Sequence, residues 1–301
     1  MAVEIALVTE SRYEAPAEVT PYIANILEED RLLTEALQAR GIAARRVDWA
    51  REDVDWGAFA AVVLRTPWDY FERFDAFSAW LDRIAAHPCV LNDPSTLRWN
   101  IDKHYLADLE AAGVAVVPTV FVERGEGRAL ADAMAELGAE AAVYKPTVSG
   151  AARETYRVRP GAVAEHAGRF ATLTTERAMM VQPFLPAIVE HGEVTVVAMS
   201  GRPTHALRKR AKAGDFRVQD DHGGTLHPHT ATADELALTE AALAVRGEVP
   251  VYGRVDMVRD PQGIARVMEL ELIEPELWLR LHHPAAEAFA EGIAARLAQQ
   301  A

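Results

Sequence analysis

The chain has 301 residues, half of them hydrophobic and a quarter charged, which is the balance of a globular protein with room for two or three packed units. A formal net charge of −14 argues against a nucleic-acid partner, because such binders carry a basic face. No apolar run nears the roughly 18 residues that span a membrane, the first residues lack the basic start of a secretory leader, and the single cysteine, Cys89, fits a reducing compartment. The expectation is a soluble cytoplasmic protein, monomer or homodimer, acting on a small molecule.

Residues 3–8 are almost wholly apolar and predict a buried strand. Pro21 opens a helix that runs to about 40 and stops at Gly41. Short strands are expected at 43–47 and 60–64. A helix at 74–86 carries Phe74, Phe77, Leu81 and Ile84 on one stripe. A strand at 90–91 precedes Asn92-Asp93-Pro94, a strong turn signal. This alternation predicts a parallel, Rossmann-like α/β unit over residues 1–99.

From Asn100 the rhythm changes. A helix at 101–112, a strand at 116–122, a helix at 129–137 and a strand at 141–144 lead to a loop of small residues at 147–152. Strand, helix and strand follow at 154–159, 163–172 and 178–182, so residues 100–185 read as a small α+β unit. The last unit, 186–301, reads as strands at 193–199 and 203–209, a polar loop at 213–225 and a helix at 233–245. A hairpin of strands at 251–259 and 265–272 and a helix at 284–299 complete it.

Neither GxxxxGK[ST] nor GxGxxG occurs, so no P-loop or dinucleotide motif is signalled. The hairpin is more informative. It holds Arg254-Val255-Asp256 on one strand and Glu269-Leu270-Glu271 on the next. Alternate residues of a strand share a face, so Asp256, Glu269 and Glu271 form one acidic group beside Arg254. Hard oxygen donors of this kind suit Mg²⁺, with Mn²⁺ an alternative, although a solvated strand face shows the same pattern. Of the 31 basic residues only four are lysines, Lys103, Lys145, Lys209 and Lys212, which suggests positions where a compact point charge is needed. Lys145 ends a strand before Thr147–Ala152, where loop N–H groups can cradle phosphate. An ordinary strand-to-turn junction has the same look. Val181-Gln182-Pro183-Phe184-Leu185-Pro186 is either a linker or an extended edge for a flat base. The segment from Lys209 through Lys212 and Arg217 to Gly223-Gly224 is a basic, glycine-containing loop in an acidic protein. The histidines of Asp221-His222, His227-Pro228-His229 and His282-His283 lack the spacing of a zinc site.

The order of these segments resembles the ATP-grasp superfamily over roughly residues 100–300. The resemblance implies an ATP-grasp fold behind an N-terminal pre-ATP-grasp domain. It implies that Lys103 and Lys145 hold the α- and β-phosphates and that Ser149 and Gly150 belong to a closing loop. Gln182, Phe184 and Leu185 would grip adenine, and Glu190 or, preferably, Glu193 the ribose. Lys212, Arg217 and Arg254 would serve the transferred phosphate, and Gly223 and Gly224 the substrate, as in ribosomal-protein glutamate ligases and glutathione synthetases. Asp256, Glu269 and Glu271 would hold the metal, where the family more often ends on asparagine than on a residue like Glu271. The implied reaction is ATP-dependent carboxylate–amine ligation through an acyl phosphate. The N-terminal segments Thr9-Glu10-Ser11-Arg12-Tyr13, Glu29-Asp30 and Arg65-Thr66-Pro67-Trp68-Asp69-Tyr70 resemble bacterial small-molecule ligases of the kind that cyclise O-ureido-serine. On that likeness Thr9, Arg65, Thr66, Trp68 and Asp69 are expected at the substrate. A ligase for a peptide or protein terminus, a small-molecule kinase and a silent ATP-binding module are the alternatives.

Overall fold

The computed structural model describes residues 3–218 and 223–300. Its first unit runs β1 (Val3–Thr9), α1 (Ser11–Glu14), α2 (Pro21–Gln38), β2 (Ile42–Asp48), β3 (Ala61–Thr66), α3 (Phe74–Ile84) and β4 (Val90–Leu91). The sheet order is β2-β1-β3-β4, with every pair parallel. Helix α2 starts as expected: Pro21 sits in its first turn, and Thr20 Oγ1 accepts from the Ile23 amide at 3.2 Å. Helix α3 buries Phe77, Leu81 and Ile84 of the expected stripe together with Trp80.

The expected helix at 101–112 is shorter, α5 (Tyr105–Ala111), and a helix that was not expected, α4 (Pro94–Asn100), precedes it. Asp93 caps α4 by accepting from the Ser95 amide at 2.8 Å. The break has a cause outside the helices, for the Lys103 amide donates 2.9 Å to the Thr147 carbonyl. Asn92, just before α4, and Asn100, its last residue, are buried. Asn92 Nδ2 donates to the carbonyls of Tyr252 and Leu272, and its Oδ1 accepts from the Val251 amide. Asn100 donates to the Leu270 carbonyl and accepts from the Leu272 amide.

The second unit holds β5 (Val120–Val122), α6 (Leu130–Glu136), β6 (Ala142–Pro146), β7 (Tyr156–Val158), α7 (Val163–Glu176) and β8 (Met179–Pro183). Its antiparallel sheet has the order β5-β8-β6-β7. Strand β5 is shorter than the expected 116–122 because Pro118 has no N–H to give a ladder. Val116 before it makes a lone bridge to Val267.

The third unit comprises α8 (Ala187–Glu190), β9 (Glu193–Met199), β10 (Arg202–Arg210), β11 (Thr225–His229), α9 (Ala233–Ala244), β12 (Tyr252–Arg259), β13 (Ala265–Glu271) and α10 (Pro284–Gln300). The sheet order is β11-β10-β9-β12-β13, antiparallel throughout. Strand β11, which was not expected, begins at the last residue of the expected polar loop. Its Pro228 is tolerated because β11 lies at the sheet edge. Tyr105, Leu106 and Leu109 of α5 pack in the same core as β9, β12 and β13, so the expected unit at 100–185 shares its first helix with the C-terminal one. Leu33 and Leu37 of α2 share a core with Phe289 and Ile293 of α10, which joins the first unit to the third.

Candidate active site

A cavity of about 790 Å³ is lined by all three units. Its floor is the β12–β13 hairpin, whose register sets Arg254 opposite Glu271 and Asp256 opposite Glu269. The sequence therefore placed these four side chains on one face correctly.

The carboxylates are tied to cations. Asp256 accepts from Thr195 Oγ1 at 2.6 Å, Lys209 Nζ at 2.8 Å, and Arg254 Nε and Nη2 at 3.1 and 2.9 Å. Burial pushes its carboxyl up, but Arg254 and Lys209 outweigh this and hold it below the usual carboxylate range. Glu269 lies 3.1 Å from Lys103 Nζ and 3.9 Å from Lys145 Nζ. Burial raises its carboxyl, and these two lysines more than reverse that. Glu271 pairs with Arg254. Burial, with Glu269 and Asp256 adding to it, still pushes the Glu271 carboxyl up to about 8. Glu193 pairs with Lys209, yet burial and the nearby Asp256 lift it to about 7.

The three carboxylates expected to hold the metal are not gathered in this structure. Among the described residues no three histidine, cysteine or carboxylate groups close on a common point. Like charges brought together repel, so Asp256 turns to Lys209 and Arg254, and Glu269 to the two lysines. Glu269 and Glu271 remain on the same strand face at the cavity, an oxygen donor set that fits a hard divalent cation.

Above the floor lies a loop of small residues. Lys103 Nζ donates 2.6 Å to the Ser149 carbonyl, and Ser149 Oγ donates 3.0 Å to the Arg153 carbonyl. Ala151, Ala152 and Glu154 all have positive φ, near 50°. Gly150 sits against the N-terminal unit: a Cβ there would lie 2.6 Å from Cε1 of Phe71. On the opposite wall, Gln182 Nε2 donates 2.9 Å to Thr119 Oγ1, and the Arg157 guanidinium lies 3.5 Å from the centroid of Phe184.

Comparison with known proteins decides the family. Residues 5–92 match the family model "D-cycloserine synthetase DcsG, N-terminal domain", and residues 116–249 match "Prokaryotic glutathione synthetase, ATP-grasp domain". The chain is 35% identical over 284 residues to cycloserine biosynthesis protein DcsG of Streptomyces lavendulae, covering 88% of this chain and 92% of that one. The chain belongs to the DcsG family of ATP-grasp ligases. The crystal structure of D-cycloserine synthetase DcsG superposes with a TM-score of 0.86 at 32% identity, covering 98% of this chain and 99% of that one. An ATP-grasp RimK domain protein from Sphaerobacter thermophilus shares the fold, with a TM-score of 0.68 at 21% identity over 97% of this chain and all of that one. The chain is therefore an ATP-dependent ligase.

In this DcsG-family ligase the cavity lining includes Lys103, Lys145, Ser149, Gly150, Gln182, Phe184, Leu185, Glu193, Arg217 and Trp68 from the expected set. Glu190 is exposed and stands outside the lining, so Glu193 is the acid that faces the cavity. Arg217 reaches the cavity while bonded to Asp215 through Nε and Nη2, at 3.1 and 2.8 Å. Lys212, Gly223 and Gly224 lie outside the lining, and Asp221-His222 fall outside the described residues.

Four expected substrate residues are core residues instead. Thr9 and Thr66 bond each other at 2.7 Å. Arg65 is buried 3.6 Å from Asp30 and 5.6 Å from the centroid of Phe289. Asp69 accepts from Trp49 Nε1 at 2.7 Å. They cluster at the end of β3 as expected, but the loop beyond it, with Trp68, Tyr70 and Phe71, makes the wall. Among the wall residues that the sequence left unassigned are Lys209, Glu274, Glu276 and Trp278. Lysine scarcity was a signal for Lys209; the other three follow the hairpin in a segment with no motif.

Proposed function

We propose that this enzyme uses Mg²⁺ and ATP to activate the carboxylate of a small amino-acid-like substrate, which a nitrogen of the same molecule then attacks to close a ring, as in O-ureido-serine cyclo-ligation. The whole-chain likeness to cycloserine biosynthesis protein DcsG carries this reading. A carboxylate oxygen attacks the γ-phosphorus and ADP leaves. The nitrogen lone pair then attacks the acyl carbon, phosphate leaves, and the nitrogen loses its proton.

Phosphoryl transfer asks for positioning and charge neutralisation. Lys103 and Lys145 bind phosphate oxygens, and Arg254 and Lys209 meet the γ-phosphate from the sheet. Glu269 and Glu271 would hold Mg²⁺, which would supply neutralisation of phosphate charge. The Ser149–Ala152 loop keeps water from the acyl phosphate.

The substrate end is read from Glu274. Its backbone carbonyl accepts from Trp68 Nε1 at 2.9 Å, and its carboxylate bonds Tyr70. Among the described residues no cation forms a salt bridge with it, and burial lifts its carboxyl to about 7. A substrate ammonium against Glu274, walled by Tyr70 and Trp68, completes the pairing. Steady-state kinetics on Glu274→Gln test this. The expected result is a KM for O-ureido-serine raised about tenfold with the KM for ATP unchanged. An unchanged substrate KM contradicts the ammonium contact.

A further inference from the structure

Arg254 is held from outside its own sheet. Its Nη1 donates 3.2 Å to the Glu276 carbonyl, and its guanidinium lies 5.0 Å from the centroid of Trp278. Both partners belong to the segment that crosses from β13 to α10. Trp278 adopts φ 46° and ψ 41°, left-handed backbone that a bulky residue keeps only where its surroundings impose it.

Glu29 of α2 imposes it. This carboxylate is buried on an element of the N-terminal unit. Its Oε2 accepts from the Leu279 amide at 2.8 Å, and its Oε1 accepts from the Arg280 amide and from Arg280 Nη1, each at 3.0 Å. Successive N–H groups after a left-handed residue make a concavity for an anion, and Glu29 fills it. Arg280 Nη1 also lies 2.8 Å from Glu276 Oε1. Glu276 is thereby gripped twice, at its side chain by Arg280 and at its carbonyl by Arg254.

We propose that Glu29 is a positioning residue: through the turn at 278–280 it sets the guanidinium of Arg254, so the N-terminal unit governs how the C-terminal unit reads the γ-phosphate. This rests on the reading of Arg254 as a γ-phosphate ligand. A packing role alone would lower stability and leave γ-phosphate recognition intact.

Calorimetric titration with AMPPNP and with ADP, each with Mg²⁺, separates the two. Arg254→Met is expected to weaken AMPPNP about tenfold while leaving ADP near the wild-type value. Glu29→Gln keeps the shape but turns an amide nitrogen toward one of the N–H donors. It should reproduce most of the AMPPNP loss, and the double variant should add little to Arg254→Met. Should Glu29→Gln not fold, Arg280→Gln carries the same expectation, because it spares the backbone concavity and cuts the arm to Glu276. An unchanged AMPPNP-to-ADP ratio in Arg254→Met overturns the reading of Arg254 itself. A ratio lost in Arg254→Met but kept in the folded Glu29 or Arg280 variant, or losses that multiply in the double variant, overturns the relay.

Discussion

The ammonium of Lys103 lies 3.1 Å from Oε1 of Glu269 and 2.6 Å from the Ser149 carbonyl, so one lysine joins the acidic sheet to the loop above it. Phosphate and carboxylate compete for that charge, and Lys145 faces the same choice at 3.9 Å. On the proposed role of Glu269 as a metal ligand, a divalent cation there would release both lysines toward phosphate. Glu269→Gln should therefore bind ATP about five- to tenfold more tightly in EDTA, since the lysines lose their rival. With Mg²⁺ the same variant should turn over about 10²–10³ times more slowly. Calorimetry in EDTA and phosphate release with Mg²⁺ check the two halves.

Gly150 allows the loop to meet Phe71. A Cβ at 2.6 Å from the Phe71 ring forces one of them to move. Gly150→Ala should leave ATP binding near normal and lower coupling, so that more phosphate is released per product as water reaches the acyl phosphate. Phe71→Ala in the same chain should restore part of the coupling. Product and phosphate measured side by side decide it.

Asn100 holds the end of β13 with bonds of 2.8 Å to the Leu270 carbonyl and 2.7 Å from the Leu272 amide. Asn100→Leu leaves both backbone groups unpaired in the core. The expected loss is about 2–4 kcal/mol in urea unfolding. Because Glu271 sits between those two bonds, turnover should fall even where the variant is folded.

His205 sets an acid limit on stability. Burial, aided by the stacked His282, lowers its pKa to about 4, and its Nε2 lies 3.0 Å from the Leu277 carbonyl. The unfolded chain takes up a proton near 6.5 while the folded chain resists until about 4. This contribution is fully present above about pH 6.5 and is lost as pH falls toward 4, by about 2 kcal/mol. His205→Gln should lose less stability than the parent between pH 7 and pH 4.5, as unfolding curves across that range would show.

The acidic hairpin was legible because strand alternation is rigid: Arg254, Asp256, Glu269 and Glu271 share a face whatever surrounds them. Lys145 and Gln182 were legible for a related reason, each standing on a strand beside a loop signal. The substrate wall was not. Arg65 ends a strand where ligand sites gather, with Asp69 in the loop just beyond, yet tertiary packing drew Arg65 to Asp30 and Asp69 to Trp49. Glu274 and Trp278 lie on an irregular segment whose shape is set by Glu29, some 250 residues earlier, and local sequence carries no trace of that. Helix α4 was missed behind the turn signal of Asn92-Asp93-Pro94, and α5 starts later than expected at a bond that is equally remote, from the Lys103 amide to Thr147.

The proposed activity is ring-forming ligation of a small amino-acid-like substrate. It is tested most directly by incubating the full chain with Mg²⁺, ATP and O-ureido-serine, following ADP and phosphate release, and taking mass spectra of the products. The expected result is release that depends on the substrate, together with a cyclic product that is absent from the Arg254→Met variant. Tight ATP binding with no substrate-dependent release, or release accompanied only by a linear or phosphorylated product, would contradict it.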